Sequence, residues 1–405
     1  MNAKTIGREY AVLLLLGLLG IPIGAAIGAV DVLFGRVLLA VSAVRTAHVI
    51  PLVLFLAPIG VLIVWAYAKY GGISSKGMSL VFDVGHGTEK NIPLRLVPFV
   101  MVSTWLTHLF GGSAGREGVA VQLGAAISHG FGKRLEAYIP DASRIFLITG
   151  MAAGFSGLFQ TPIAATVFAM EVLSAGSLAL AALVPAVTAS FTACWVSSAL
   201  GLEKFSVAIS ADISLNLPVL GKLAVLGVLF GLTGGVFAWG LRRAKALAAQ
   251  KLQHPLVRIA VMGACLSALL LLFHTGRYCG LGTNLISACF SGQTVYSYDW
   301  LLKLVLTIGT LAAGYQGGEV TPLFSIGATL GVLLSGMVGL PVYLTAALGY
   351  AAVFGSATNT VLAPVFIGAE VFGMSNLPYF FIVCAIAFAC NRNASIYTKQ
   401  IVTPF

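Results

Sequence analysis

Charged residues are scarce in this sequence. Only 9% of the 405 residues are Asp, Glu, Lys or Arg, whereas 59% are hydrophobic and the mean hydropathy is +0.98. A soluble domain carries about 25% charged residues, so this composition excludes a water-soluble surface. It predicts an all-α, polytopic membrane protein, and no stretch is long and polar enough to form a soluble regulatory domain.

The few charges leave long uncharged gaps, each long enough for a helix to cross a hydrocarbon core of roughly 30 Å. The gaps are Tyr10–Val30, Thr46–Ala68, Ile145–Met170, Val172–Leu202, Leu223–Leu241 and Val371–Asn391. Lys4 and Arg8 precede the first gap, as in a signal peptide, but that gap is longer than a typical signal-peptide core. It therefore predicts a retained first helix.

Metal-ligand patterns are also missing. The six cysteines and six histidines are scattered without ligand spacing, so we expect packing roles and no cofactor. The net charge of +10 includes basic clusters at Lys133-Arg134 and Arg242-Arg243-Lys245. In a membrane protein such clusters indicate cytoplasmic loops, so we expect no nucleic-acid partner.

The sequence does contain two blocks that recur in the same order, which indicates an internal duplication. The aligned identities are Gly111/Gly314, Gly115/Gly318, Gly124/Gly327 and Ala125/Ala328 in one block, and Gly150/Gly349, Ala152/Ala351, Ala153/Ala352, Phe155/Phe354, Thr161/Thr360, Ala164/Ala363, Glu171/Glu370 and Val172/Val371 in the other. This predicts two membrane repeats, 1–200 and 201–405. Duplicated halves are common in secondary transporters, whose binding sites lie between repeats on broken helices.

Glycine is abundant, with 47 residues, and its clusters coincide with rare charges. GGSAGREG covers Gly111–Gly118, and GYQGGEVTP covers Gly314–Pro322. Only 15 uncharged residues separate Glu117 from Lys133, so this segment predicts a broken or re-entrant helix. The alternative is that the glycines only permit tight helix packing.

Glycines before a helix leave its first N–H groups accessible, and these groups form an anion site with the helix dipole. An ionised carboxylate is costly inside a membrane, but the charge of Glu117 can be compensated if its carboxylate occupies such an anion site. When protonated it would leave and admit an anion. The alternative is a structural ion pair with Arg116, although adjacent residues within a helix point about 100° apart.

Three other acids lie in the repeated blocks. Glu319 is an unusual second acid that stands beside the second glycine-rich helix start. Glu171 and Glu370 occupy equivalent repeat positions, which favours a structural role, such as hydrogen bonding to neighbouring backbone, over a proton path.

At these motifs the sequence resembles the CLC family of anion channels and anion/proton antiporters. The GREGP signature of that family reads Gly115–Val119 (GREGV) here, and its GGxFxP signature reads Gly317–Pro322 (GGEVTP). The resemblance covers essentially the whole chain. It implies a CLC-like fold of two homologous, inverted halves with re-entrant helices, and a homodimer with one pathway in each subunit.

Four departures from the common pattern resemble the fluoride/proton antiporter branch. The GSGIP motif is missing, and the nearest segment is Ser75–Leu80. Val172 stands where typical exchangers have an inner proton-accepting glutamate. The other two departures are the GREGV form and Glu319 within GGEVTP. The resemblance thus implies fluoride export driven by protons across a cell membrane, the bacterial inner membrane.

The resemblance also assigns site residues. Glu117 becomes the gating carboxylate, and Glu319 joins it in proton coupling. The residues implied for the anion site are Gly77, Met78, Ser79, Gly115, Arg116, Gly118, Val320, Thr321 and Tyr397. The Tyr397 hydroxyl is a candidate hydrogen-bond donor to a dehydrated anion, whereas an interfacial tyrosine is the alternative.

Other functions remain open at the level of sequence. A CLC protein that moves chloride or nitrate is the nearest alternative. Gly154–Gly157 reads GFSG, which fits an intramembrane serine protease with Ser156 as nucleophile, and His274 is the one loosely suitable base. A transporter of bulky organic anions is disfavoured because no arginine fork accompanies the narrow glycine-lined segments.

Overall fold

The computed structural model describes residues 3–210, 213–391 and 394–402, and this part of the chain is predominantly helical. The α-helices are α1 (Ala3–Ala47), α2 (Val49–Leu54), α3 (Leu56–Ala66), α4 (Met78–Gly85), α5 (Leu96–Leu109), α6 (Glu117–Leu135), α7 (Ala142–Phe159), α8 (Pro162–Glu171), α9 (Leu183–Ala199), α10 (Leu217–Lys251), α11 (Pro255–Leu272), α12 (Thr283–Ser291), α13 (Asp299–Ala313), α14 (Val320–Val338), α15 (Val342–Thr358), α16 (Leu362–Phe372) and α17 (Leu377–Cys390). Two short strands, β1 (Ser174–Ala175) and β2 (Ile401–Val402), pair in parallel.

Many of these helices are suited to a lipid environment. Within the described residues, seven helical segments are long and apolar enough to cross a membrane. Large apolar side chains are exposed, including Leu217 at 82% and Trp195 at 72%. Water-soluble monomers rarely expose broad apolar surfaces. The prediction of a polytopic helical membrane protein is confirmed.

Four of the uncharged gaps do not form one continuous helix; turns at His48 and Phe55 divide Thr46–Ala68, and α9 fills only part of Val172–Leu202. Within Ile145–Met170 the chain leaves α7 at Gln160, which has φ 57° and ψ 40°, and α8 begins at Pro162. Asn359 ends α15 in nearly the same conformation, with φ 58° and ψ 44°. Val371–Asn391 is interrupted at Gly373, where φ is 109°. A gap that is long enough to cross the membrane is therefore not always one crossing helix, because residues with positive φ end helices within apolar stretches.

The first helix is part of the packed body. α1 has 45 residues, continues through Pro22 and packs against α9 and α7. A Cβ added at Gly24 would lie 2.3 Å from the carbonyl oxygen of Ala189 on α9, so the two backbones are in close contact. The retention of α1 in the mature protein stays a prediction. None of the six cysteines forms a disulfide within the described chain.

Two helix pairs cross at glycines that correspond in the sequence alignment. A Cβ added at Gly124 of α6 would lie 2.0 Å from the carbonyl oxygen of Gly150 on α7. A Cβ added at Gly327 of α14 would likewise lie 2.0 Å from the carbonyl oxygen of Gly349 on α15. Only glycine permits such an approach. The two crossings hold the first residues of α6 and α14 inside the protein, where the candidate site lies.

Candidate anion site

The segments before α6 and α14 meet through a short antiparallel bridge. The N–H of Gly318 donates to the carbonyl of Gly115 at 2.7 Å, and the N–H of Gly115 donates in return to the carbonyl of Gly318. These two glycines correspond in the sequence alignment. Reciprocal bonds between corresponding residues place the two helix starts face to face.

Glu117 lies at this junction and is fully buried. Its carboxylate accepts the backbone N–H of Thr321 at 3.1 Å, and it also accepts the Thr321 hydroxyl. The N–H of Arg116 donates to the same carboxylate at 3.2 Å. Thr321 belongs to the first turn of α14, so the negative charge of Glu117 occupies the positive end of a helix from the second half of the chain.

The side chains of Arg116 and Glu117 are closer than the sequence predicts. Nε of Arg116 lies 3.7 Å from Oε1 of Glu117, which is an ion pair. Arg116 precedes α6 and has φ −132°, so the angular separation of adjacent helical residues does not apply to it. The expectation of poor pairing is corrected, although the hydrogen bonds to the carboxylate come from Thr321 and from backbone.

Backbone amides gather at the start of α6. A Cβ added at Gly318 would lie 3.0 Å from the nitrogen of Gly118 and 3.4 Å from those of Arg116 and Glu117. Successive amide groups around one point form a concave, partly positive surface. This arrangement of donors suits a small anion.

A cavity of about 280 Å³ adjoins the junction. Its walls include six of the residues assigned from the sequence, namely Gly77, Met78, Ser79, Gly118, Glu319 and Tyr397. Gly77 precedes α4 with φ 55°, so the start of a third helix also reaches the cavity. The other assigned residues do not line it; Gly115, Arg116, Val320 and Thr321 belong to the junction around Glu117.

Gly118 and Glu319 connect the junction to the cavity. A Cβ added at Gly118 would lie 3.5 Å from Cα of Gly318 and 3.8 Å from Oε2 of Glu319. Glu319 is partly exposed to the cavity, whereas Glu117 is fully buried. Glu319 therefore borders the cavity, and Glu117 lies inside the adjoining junction.

Tyr397 forms part of the cavity wall and is only 7% exposed. Its ring stacks on Phe82 of α4, with ring centroids 5.1 Å apart. It also makes an edge contact with Phe168 of α8. Tyr397 is therefore buried in the cavity wall, and its role as a donor to the anion stays a prediction.

Several cavity residues have no counterpart in the sequence-based assignment. Gln122 lies one turn after Gly118, so helical periodicity could have identified it. Lys245 appeared only as part of a basic cluster, and nothing in the sequence shows that the end of α10 reaches this cavity. Lys76 and Lys399 also line it, and both form ion pairs with Asp83 of α4.

Glu171 and Glu370 have structural roles, as predicted. The Glu171 carboxylate accepts N–H groups at the start of α16, from Val361, Leu362 and Ala363. The Glu370 carboxylate accepts those of Ile163 and Ala164 at the start of α8. Each half thus supplies an acid that binds a helix start of the other half.

The protease alternative is wrong. The Ser156 hydroxyl is buried and donates to the carbonyl of Ser190 at 2.7 Å. Nε2 of His274 is instead hydrogen-bonded to the hydroxyl of Tyr298 at 2.9 Å. Ser356, on the matching helix α15, donates to the backbone of Gly231 in the same way as Ser156 does to that of Ser190. The two serines therefore serve helix packing.

The fold and junction define a class of helical membrane protein in which two helix starts enclose a buried carboxylate at a potential anion site. The sequence model of the voltage gated chloride channel family matches residues 59–392. The chain is also 35% identical over 367 residues to the "Chloride/fluoride channel protein" of Pseudomonas syringae pv. tomato, covering 88% of this chain and 79% of the relative. The chain belongs to this family, the CLC family.

Other relatives give the range of similarity. The "Voltage-gated ClC-type chloride channel ClcB" of Salmonella typhimurium is 24% identical, over 79% of this chain and 76% of the relative. A crystal structure of a CLC-type fluoride/proton antiporter matches with a TM-score of 0.95 and 55% identity, covering 97% of this chain and 99% of that one. A slow cyanobacterial Cl⁻/H⁺ antiporter matches in fold, with a TM-score of 0.73, 19% identity and coverage of 98% and 97%.

Proposed function

We propose that the protein is a fluoride/proton antiporter that exports fluoride. The observation that carries this proposal is the Glu117 carboxylate bound to the N–H and hydroxyl of Thr321 at the start of α14. A carboxylate held by these donors occupies a position where a small anion would bind. The protein acts as a transporter and not as an enzyme.

In this mechanism Glu117 and fluoride compete for the same donors. Protonation removes the negative charge of Glu117, so its attraction to the start of α14 falls and the side chain leaves. Fluoride then binds the Thr321 N–H and hydroxyl together with the amides around Gly118. When Glu117 loses its proton it returns, and the anion is displaced. One side chain thereby exchanges a proton for an anion.

Fluoride is favoured over chloride by two features of the site. Fluoride is small and strongly hydrated, so its site must supply many short donor contacts, and the junction gathers three amides with the N–H and hydroxyl of Thr321. Val172 is buried where typical exchangers have an inner glutamate, and Glu319 offers a carboxyl group in the cavity instead. The 55% identity to a fluoride/proton antiporter supports the same choice.

The alternative is a chloride-type CLC channel or exchanger. Purified protein in liposomes should release fluoride at least tenfold faster than chloride, measured with ion-selective electrodes. An outward fluoride gradient should also drive protons inward against an imposed pH step. Chloride release at an equal rate would support the alternative, and fluoride release without proton uptake would identify a channel.

The same proposal includes the organisation of the molecule. We infer two inverted repeats, 1–200 and 201–405, assembled as a homodimer in the bacterial inner membrane. The reciprocal contacts of Gly115 with Gly318 support the repeats, and the family supports the dimer. Light scattering of the detergent-solubilised protein should give twice the mass of one 42.0 kDa chain after subtraction of the detergent; a single-chain mass would contradict the dimer.

A further inference from the structure

Gln122 carries an unused hydrogen-bond acceptor at the cavity. It lies on α6, lines the cavity and is only 6% exposed. Its Nε2 donates to the carbonyl of Gly118 at 3.1 Å, whereas Oε1 is buried without a partner. Leaving a buried polar atom unpaired costs about 1–3 kcal/mol, so this acceptor requires an explanation.

A carboxyl group stands close to the same face of α6. Oε2 of Glu319 lies 3.8 Å from the position of a Cβ at Gly118. Gly118 and Gln122 are four residues apart and share one face of the helix. Glu319 and Gln122 both line the cavity that this face borders. Oε1 of Gln122 lies 3.6 Å from the position of a Cβ at Gly77, so the free acceptor faces the cavity that Glu319 also borders.

We propose that Oε1 of Gln122 accepts the hydrogen bond of protonated Glu319. This inference rests on the proposed function, in which Glu319 carries a proton. A protonated carboxyl group has an O–H donor, whereas an ionised one can only accept. The Gln122 acceptor thus stabilises the proton-loaded form of Glu319 and offers nothing to a bare anion. Gln122 is a positioning residue that acts through Glu319.

The lysines around Glu319 favour its charged form, whereas the neighbouring carboxylate of Glu117 opposes it, and Tyr397 lines the same cavity. Lys245 reaches the cavity from α10, and Lys76 and Lys399 reach it from the segments beside α4 and Tyr397. Lys76 and Lys399 are paired with Asp83, whereas Lys245 forms no ion pair among the described residues. Because these lysines favour the ionised carboxylate, a hydrogen bond to Oε1 of Gln122 helps Glu319 to stay protonated during part of the transport cycle.

The first test is the pH dependence of fluoride-driven proton uptake in liposomes. Gln122→Met has similar volume and lacks the acceptor, so its activity midpoint should shift to lower pH by roughly 0.5–1 unit. Gln316→Met, which changes an amide elsewhere on the same cavity, should keep the wild-type midpoint. Equal midpoints for wild type and Gln122→Met would overturn the inference.

A double-mutant comparison separates this inference from the proposed function. In a Glu319→Gln background, where the rate of fluoride release replaces proton uptake as the readout, Gln122→Met should cause no further shift in pH dependence, because the proton that it positions is gone. A shift of full size in that background would overturn the role of Gln122. If wild-type protein shows no fluoride/proton coupling, the proposed function itself fails.

Infrared difference spectroscopy tests the contact even if Gln122→Met folds poorly. The carboxylic C=O band that disappears in Glu319→Gln belongs to protonated Glu319. In the wild-type protein this band should have the frequency of a hydrogen-bonded acid, and in Gln122→Met it should move toward that of a free acid. A free-acid frequency in the wild type would contradict the proposal.

Discussion

The junction around Glu117 depends on very few side-chain atoms. Thr321 supplies both a backbone N–H and a hydroxyl to the carboxylate, and Arg116 adds one further N–H. These hydrogen-bond donors are neutral, and the Arg116 guanidinium lies 3.7 Å from the carboxylate without a hydrogen bond to it, so the anion is held less tightly than by a charged donor in direct contact. A site of this kind can release fluoride as well as bind it.

The Thr321 hydroxyl should contribute measurably to fluoride binding. In a Glu117→Gln background, where the competing charge is absent, Thr321→Val should weaken fluoride binding about three- to tenfold, since one hydrogen bond is worth about 1 kcal/mol. Calorimetry in detergent measures the dissociation constant. Thr321→Ser retains the hydroxyl and should bind as tightly as the parent; unchanged binding by Thr321→Val would exclude the hydroxyl from the site.

Sequence motifs located most of this site but not its finer contacts. GREGV and GGEVTP placed Glu117 beside the start of α14 because rare charges and glycines stood out in an apolar chain. They did not reveal the contact between the Arg116 and Glu117 side chains, which follows from the non-helical backbone of Arg116. Gln122 was also missed; its position one turn after Gly118 places it on the same helix face, but no residue type or spacing marks an unpaired oxygen.

At the scale of elements, two short helices are held at their first residues by acids from the opposite half. Glu171 binds three N–H groups of α16, and Glu370 binds two of α8. Each carboxylate satisfies donors that a helix start leaves unpaired and complements the helix dipole. These contacts fix the broken helices relative to each other.

Removing one of these anchors should destabilise the fold. Glu171→Ala leaves three N–H groups without a partner, so we expect a loss of about 2–4 kcal/mol in the free energy of unfolding. Thermal unfolding in detergent, followed by tryptophan fluorescence, should show a lower midpoint. The exposed Glu203 is the control, and Glu203→Ala should be neutral. An equal midpoint for both variants would contradict the anchoring role.

The breaks between these helices explain where hydropathy failed. The sequence around Gln160 and Asn359 is uncharged and apolar, so hydropathy alone reads each region as a single span. The left-handed conformation at both positions ends one helix before Pro162 or Leu362 begins the next. Gln160 and Asn359 are aligned in the two repeated blocks, but in the sequence these blocks show only similar small residues and no sign that both helices end there.

At the scale of the whole molecule, the repeat makes a geometric prediction. If the halves are inverted, α6 and α14 start at the same depth and end on opposite sides of the membrane. Lys133 lies near the end of α6 and Met337 near the end of α14, and both are exposed. Cysteines introduced at these two positions therefore report the relation between the halves.

The experiment uses a membrane-impermeant maleimide on sealed vesicles of known orientation. The exposed Cys265 and Cys390 are first replaced by serine. Lys133→Cys and Met337→Cys should then react from opposite sides, with the hidden cysteine labelled only after the vesicles are opened. Reaction of both from the same side would show that the repeats are not inverted.

The central claim is that Glu117 and fluoride compete for the start of α14, and proton coupling in Glu117→Gln tests it most directly. In liposomes with an outward fluoride gradient, wild type and the exposed control Glu203→Gln should drive protons inward. Glu117→Gln cannot exchange a proton at this position, so fluoride-driven proton uptake should fall to the level of protein-free liposomes. Coupled uptake at the wild-type rate in Glu117→Gln would contradict the account.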